Sequence, residues 1–187
     1  MNLEQRIARL EARADIRELI ARYCFTIDAR DMQGVGECFT ESGVFRSLDG
    51  AMNAAGREAV VEQFHGRFAV LGPSNHFTHD QSLSFDELDP DRATGLVNAH
   101  AEVVRNAAAM WTSLRYHDEY RREAGRWRFQ MRSLEFFYYL RPADYAEAMM
   151  GTLRNRAYAA PHPADYPENV PSWTAYYLAH SRGTHRT

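Results

Sequence analysis

The chain has 187 residues, a quarter of them charged, and a formal net charge of −3. That length fits one domain with room for an internal cavity, and the near balance of charge gives no electrostatic footing for nucleic acid. No apolar stretch is long enough to span a bilayer, and all 22 basic residues are arginines, which reads as a GC-rich coding sequence rather than an anion-binding surface.

Leu3, Ile7, Leu10, Ala14, Ile16, Leu19, Ile20, Tyr23 and Ile27 recur at helical spacing through a run without Pro or Gly. The opposite face carries Glu4, Arg6, Arg9, Glu11, Arg13 and Arg17. This is an amphipathic helix, with a break expected between Ala12 and Asp15. Its charged start is the wrong pattern for a secretion signal, so a cytoplasmic location is expected. Met32, Val35, Cys38 and Phe39 suggest a second short helix, weakened by Gly34 and Gly36. Cys24 and Cys38 are too few for a disulfide framework and are expected to be reduced and partly buried. Val44-Phe45-Arg46 is a brief strand candidate, and residues 56–70 are helical again.

From His76 the period changes. His76 to Phe85, Arg92 to Arg105, Met110 to Arg121 and Arg126 to Leu140 alternate as four long strands. They are joined by Asp89-Pro90-Asp91, Asn106-Ala107-Ala108-Ala109 and Glu123-Ala124-Gly125, all turn-like. Helices followed by an antiparallel meander give an α+β fold class. A sheet of this kind buries one face only by curling around the helices, and its concave side then becomes a pocket. Residues 1–141 make one domain on this reading. Residues 142–187, with a helix expected over Asp144 to Tyr158 and a cluster of Trp173, Tyr176, Tyr177 and Leu178, form an ordered C-terminal extension. It is expected to cover the pocket, the sheet or a neighbouring subunit.

Two short stretches carry the chemistry: Tyr23-Cys24-Phe25-Thr26-Ile27-Asp28 at the end of the first helix, and Asn75-His76-Phe77-Thr78-His79-Asp80 opening a strand. A carboxylate that fixes one imidazole nitrogen and leaves the other free to take a proton is the minimum for general base catalysis near neutral pH. Asp28 sits among Tyr23, Phe25 and Ile27, where an unpaired carboxylate is costly and an imidazole N–H relieves the cost. Asp28 as helix-end chemistry and His76 as a structural histidine are the plainer alternatives. The H-x-x-H-D spacing of His76, His79 and Asp80 invites a metal assignment, but alternate residues of a strand face opposite ways, so no metal is expected. Tyr116 and Tyr120 are possible hydrogen-bond donors, and Trp111 and His100 possible pocket lining.

The helical arm with Ile16-Arg17-Glu18-Leu19-Ile20-Ala21-Arg22-Tyr23, the following Ile27-Asp28, the histidine opening the sheet and the Gly125-Arg126-Trp127 turn resemble the SnoaL-like group of the nuclear-transport-factor-2-like superfamily. The resemblance spans roughly residues 3 to 140 and is greatest to the dehydratase and dehydrochlorinase branch. It implies a cone-shaped, curved antiparallel sheet wrapped around N-terminal helices, and a homodimer or higher homo-oligomer. It also implies a cofactor-independent lyase acting on a small apolar, aromatic or polycyclic substrate. Asp28 and His76 stand where that branch carries its catalytic pair, and Tyr23 where a relative carries a tyrosine one turn earlier. His100, Tyr116, Trp111 and Arg132 are the expected substrate-binding residues, with Arg132 or Arg141 standing in for a relative's arginine that Phe136 replaces. Asp80 takes the place of an asparagine common in relatives. An isomerase or polyketide cyclase using the same pair, a non-catalytic ligand-binding or dimerisation module, and the small subunit of a ring dioxygenase remain as alternatives.

Overall fold

A computed structural model describes residues 1–180. Helix α1 (Leu3–Ala29) begins on a capping box, in which the Asn2 side chain accepts from the Gln5 N–H and Gln5 accepts from the Asn2 N–H. It runs unbroken through the expected break at Ala12 to Asp15, where no Pro or Gly interrupts its hydrogen bonds. Its apolar stripe is buried at Ile16, Leu19, Ile20, Tyr23 and Ile27, with Ala12 beside them; Leu3, Ile7, Leu10 and Ala14 stay exposed. The helix ends at Arg30, whose φ of 59° places it in the left-handed region and turns the chain sharply.

Helix α2 (Met32–Glu37) is capped by Asp31 and gives way at once to β1 (Phe39–Ser47), so Phe39 belongs to a strand and not to the helix expected there. β2 (Asn53–Ala55) and α3 (Arg57–Phe68) follow, and then four long strands: β3 (Leu71–Phe85), β4 (Arg92–Arg105), β5 (Ala108–Glu123) and β6 (Arg126–Leu140). The sheet order is β2-β1-β6-β5-β4-β3, antiparallel except where β1 lies parallel to β6. β3 is therefore an edge strand, opposite β2 at the other edge, and α1 packs along it. This is the α+β arrangement expected, a six-stranded curved and unclosed sheet folded over helices.

The inner face of β4 is lined by small or branched residues, Ala93, Val97, Ala99, Ala101 and Val103, which lets the helices come close. Larger groups fill the centre: Tyr23 meets Phe39, Phe64, Tyr116 and Phe129 edge-on, at ring-centre distances of 5.5 to 6.3 Å. Such contacts place positive ring edges on negative ring faces.

Register shifts decide which side chains reach that core. In β6 the pairing slips at Gln130, between Glu119↔Met131 and Tyr120↔Phe129. Trp127 and Phe129 face inward before it, and Arg132, Leu134 and Phe136 after it. In β3 a slip between Leu71 and Ser74 and another between Thr78 and Gln81 each reverse the alternation. Bulges of this kind add one residue and flip every side chain beyond it.

Beyond β6 the chain makes a single 3₁₀ turn (Pro142–Asp144) and a short α4 (Tyr145–Met149). The helix expected over Asp144 to Tyr158 stops there, because the backbone turns to run beside the end of β6. The Tyr139 N–H donates to Arg154 O, and the Asp165 N–H to Phe136 O. Arg154 pins the segment: its guanidinium holds Glu168 at 2.7 and 2.8 Å and donates to Phe137 O and Tyr166 O. α5 (Pro171–His180) then leaves Trp173, Tyr176, Tyr177 and Leu178 exposed. No helix among the described residues is long and apolar enough to cross a membrane.

Candidate functional site

The end of α1 and the start of β3 meet at Asp28 and His76, 48 positions apart in sequence. One carboxylate oxygen, Oδ1, lies 2.6 Å from His76 Nδ1 and accepts from Ser74 Oγ at 2.8 Å; the other, Oδ2, accepts the His76 backbone N–H at 2.8 Å. The slip between Leu71 and Ser74 turns Ser74 and His76 together toward the helix. Both oxygens are thus satisfied, and the ring is held by side chain and backbone at once.

Behind the carboxylate stands Arg30. Its guanidinium donates to Ile27 O at 2.8 Å, to Ser74 Oγ at 3.0 Å and to the carbonyls of Leu71 and Gly72, and lies 4.0 Å above the Phe68 ring. The left-handed turn at Arg30 aims the side chain back across the helix end. Burial opposes ionisation of Asp28, but the hydrogen bonds from His76 and Ser74 and the imidazole charge outweigh it and hold the carboxyl below its usual range. With Nδ1 directed at an ionised carboxylate, the ring carries its proton there, and Nε2 is the basic nitrogen.

His76 lines a cavity with Tyr23, Tyr116, Tyr139, Thr112, Arg67 and a wall of Phe45, Phe64, Phe68, Leu114, Leu134 and Phe136. Burial pushes the phenols of Tyr23 and Tyr116 up, Tyr23 further still through its neighbour Tyr116, so both stay protonated donors. The free space among these side chains is about 30 Å³, the room of a water or two. A larger guest requires lining side chains to swing aside.

The remaining expected site residues are distributed differently. Arg132 points inward but does not line the cavity: it is fully buried beneath Tyr23, Tyr116 and Phe129, with its guanidinium carbon 3.9 to 4.3 Å from their ring centres. There Asp118 holds it bidentately, at 2.9 and 2.7 Å. His100 and Trp111 lie on the outer face of the sheet. Trp111 packs on Tyr145, while His100 stacks on Phe77 and on His79, with His79 Nε2 2.6 Å from His100 Nδ1. His79 has the parity of Phe77, opposite to that of His76, and so joins His100 on the outer face. Sequence reasoning missed Ser74, Arg30, Arg67, Thr112 and Tyr139. Ser74 and Arg30 had a usable signal, since each is within two residues of a member of the pair.

The SnoaL-like domain family matches residues 8–133. No curated protein matches the chain. Among solved structures, LinA superimposes with a TM-score of 0.68 at 19% identity, covering 74% of this chain and 95% of its own. A putative scytalone dehydratase from Novosphingobium aromaticivorans gives 0.64 at 16% identity, covering 71% of this chain and 88% of its own. Rv3472 of Mycobacterium tuberculosis, a protein of unknown function, gives 0.61 at 28% identity, covering 74% and 78%. LinA and the dehydratase share the architecture at identities that speak to fold alone. The domain match takes in α1 from Ala8 onward, β3 and every residue of the Asp28–His76 pair and its supports, and by it this chain belongs to the SnoaL-like family.

Proposed function

We propose that the chain is a lyase that needs only its own side chains for proton transfer and acts on a small, largely apolar substrate. The contact that carries this reading is Asp28 Oδ1 on His76 Nδ1, at 2.6 Å, with His76 at the wall of an aromatic cavity. His76 Nε2 takes a proton from a carbon next to the one bearing the leaving group. The C–H electron pair becomes the new double bond, and the leaving group departs with its own pair. Asp28 orients the ring and stabilises the imidazolium that forms; the Tyr23 hydroxyl donates to the oxygen that departs or gains charge. A positioned base contributes roughly 10²–10⁴-fold, and exclusion of water by the aromatic wall must add to it.

Hexachlorocyclohexane dehydrochlorinase and a putative scytalone dehydratase, both sharing this fold, support elimination as the reaction class. An isomerase or cyclase would use the same base and return the proton. Screening aromatic and polycyclic alcohols, halides and ketones by mass spectrometry separates the two, because elimination lowers product mass and isomerisation conserves it. His76→Gln should lose about 10²–10⁴-fold in turnover with an unchanged fold, and a variant that kept most of its activity would end the proposal.

The tightness of the cavity favours a second reading, a non-catalytic module in which the pair is structural. Under it, His76→Gln lowers stability and no turnover is found for any substrate class. The outer face of the sheet, with Phe77, Leu96 and Trp111 partly exposed, supports a homodimer as the assembly, and a cytoplasmic location accompanies the enzyme reading.

A further inference from the structure

Arg67 lies in the last turn of α3, and its half-buried side chain lines the cavity shared by His76, Tyr23 and Tyr116. Its Nε is buried without a hydrogen-bond partner, and its Nη1 meets the thioether sulfur of Met52, a weak acceptor. The guanidinium carbon stands 5.8 Å from the ring centre of Phe64 and 5.9 Å from that of Phe45. Among the described residues it joins no ion pair. Arg132, beneath Tyr23, Tyr116 and Phe129, also has one nitrogen, Nη1, without a partner, but its charge is paired bidentately with Asp118, as that of Arg67 is not.

Arg67 is also the one lining side chain with a permanent charge. A guanidinium keeps its proton throughout the physiological range. Placing it against aromatic walls without a carboxylate costs free energy that the Phe45 and Phe64 ring faces and the Met52 sulfur return only in part. The group that would return it is an oxyanion brought by the ligand, met by the planar fork of donors that Arg offers to carboxylates.

We propose that Arg67 is the anion-recognition residue of this cavity and that the substrate is an apolar carboxylic acid, bound as its carboxylate. The inference rests on the reading of His76 as the base acting in the same cavity. The half-exposed position of Arg67 puts the carboxylate at the rim and the hydrocarbon inward among Phe45, Phe64 and Phe136, toward His76. Capture of the acid exchanges the Met52 sulfur for charge-assisted hydrogen bonds. That difference in interaction is what a ligand needs in order to favour an opened cavity over the closed one.

Calorimetric titration of the full chain with 2-naphthoate and with neutral 2-naphthamide tests this directly. The wild-type protein should bind the carboxylate at least about tenfold more tightly than the amide, the scale of one hydrogen-bonded charge contact. Arg67→Gln should bring the two affinities to within about twofold, and Arg67→Lys should restore part of the preference as a point charge. His76→Gln should keep the preference while losing turnover, so failure of the base and failure of the anion site are read separately. Equal affinity of the wild-type protein for both probes, binding of neither, or a preference that survives Arg67→Gln would overturn the proposal.

Discussion

The guanidinium of Arg132 and the carboxylate of Asp118 face each other on neighbouring strands, bonded twice, with neither side chain reaching solvent. Tyr120 donates a third bond to Asp118 Oδ2 at 2.8 Å. Burial works against the Arg132 charge, but Asp118 more than compensates and holds the guanidinium firmly protonated. Removing one partner leaves the other as an uncompensated buried charge. Asp118→Asn or Arg132→Met should each cost about 3–5 kcal/mol, and the double variant Arg132→Met/Asp118→Leu clearly less than the sum. Urea unfolding monitored by tryptophan fluorescence gives all three values; additive losses would mean that the pair is not coupled.

Acid sensitivity should track Asp28. Its folded carboxyl lies below the ordinary value of 3.8, so ionised Asp28 favours the folded state. That contribution is fully present above the unfolded pKa and is lost as the pH falls through the folded one. Asp28→Asn should flatten the fall in stability on the acid side of pH 4, as an order of magnitude, while lowering stability near neutrality. Melting curves collected across pH decide it, and parallel profiles for the two proteins would contradict the assignment.

Ser74 bridges Arg30 and Asp28, accepting from one and donating to the other. Ser74→Ala should cost about 0.5–1.5 kcal/mol and raise the Asp28 pKa. Carboxyl-carbon NMR titration of Asp28 in the two proteins reads the second effect, which a change in packing alone would not produce.

Gly43 sits at the irregular stretch of β1, where pairing with β6 slips between Phe39 and Val44. A Cβ there would lie 2.9 Å from Phe39 Cβ, 3.0 Å from Thr40 O and 3.1 Å from Phe129 O. Two of these atoms are backbone and cannot rotate away. Gly43→Ala should therefore destabilise by about 1–3 kcal/mol through overpacking, measurable by chemical denaturation. A neutral result would show that the strand shifts freely.

Cys24 and Cys38 are both buried and unbridged. Burial pushes the Cys24 thiol up to about 11 and raises Cys38 as well. The thiolate is the reactive form, so neither should label with a thiol reagent at neutral pH until the protein unfolds. Rapid labelling of native protein would show that the helix end opens readily.

The order of elements was open to reading because period and turn chemistry are local: the change at His76, the Gly125 turn and the long amphipathic α1 each need only their neighbours. What stayed hidden was the parity of the strands. Arg132 and Met131 look interchangeable in a regular strand, and only the slip at Gln130, which depends on how β5 pairs, sends the arginine inward. His100 is expected in the pocket, but it shares a face of β4 with Asn98 and Glu102, and that face is the outer one because Ala99 and Ala101 face the helices. Asp28, His76 and Tyr23 were placed through resemblance, and the structure brings Asp28 into contact with His76 and sets His76 and Tyr23 on one cavity wall. Arg67 escaped notice because nothing in the sequence of α3 distinguishes a surface arginine from one turned toward a void.

The proposed base stands on β3, which has a neighbour on one flank only. The bare flank of such a strand can template a foreign one and so invite aggregation. Here the outward His76 N–H is taken by Asp28, and the carbonyls of Leu71 and Gly72 are taken by Arg30. The groups that hold the imidazole also stopper the sheet, so they serve the fold whether or not the ring acts as a base.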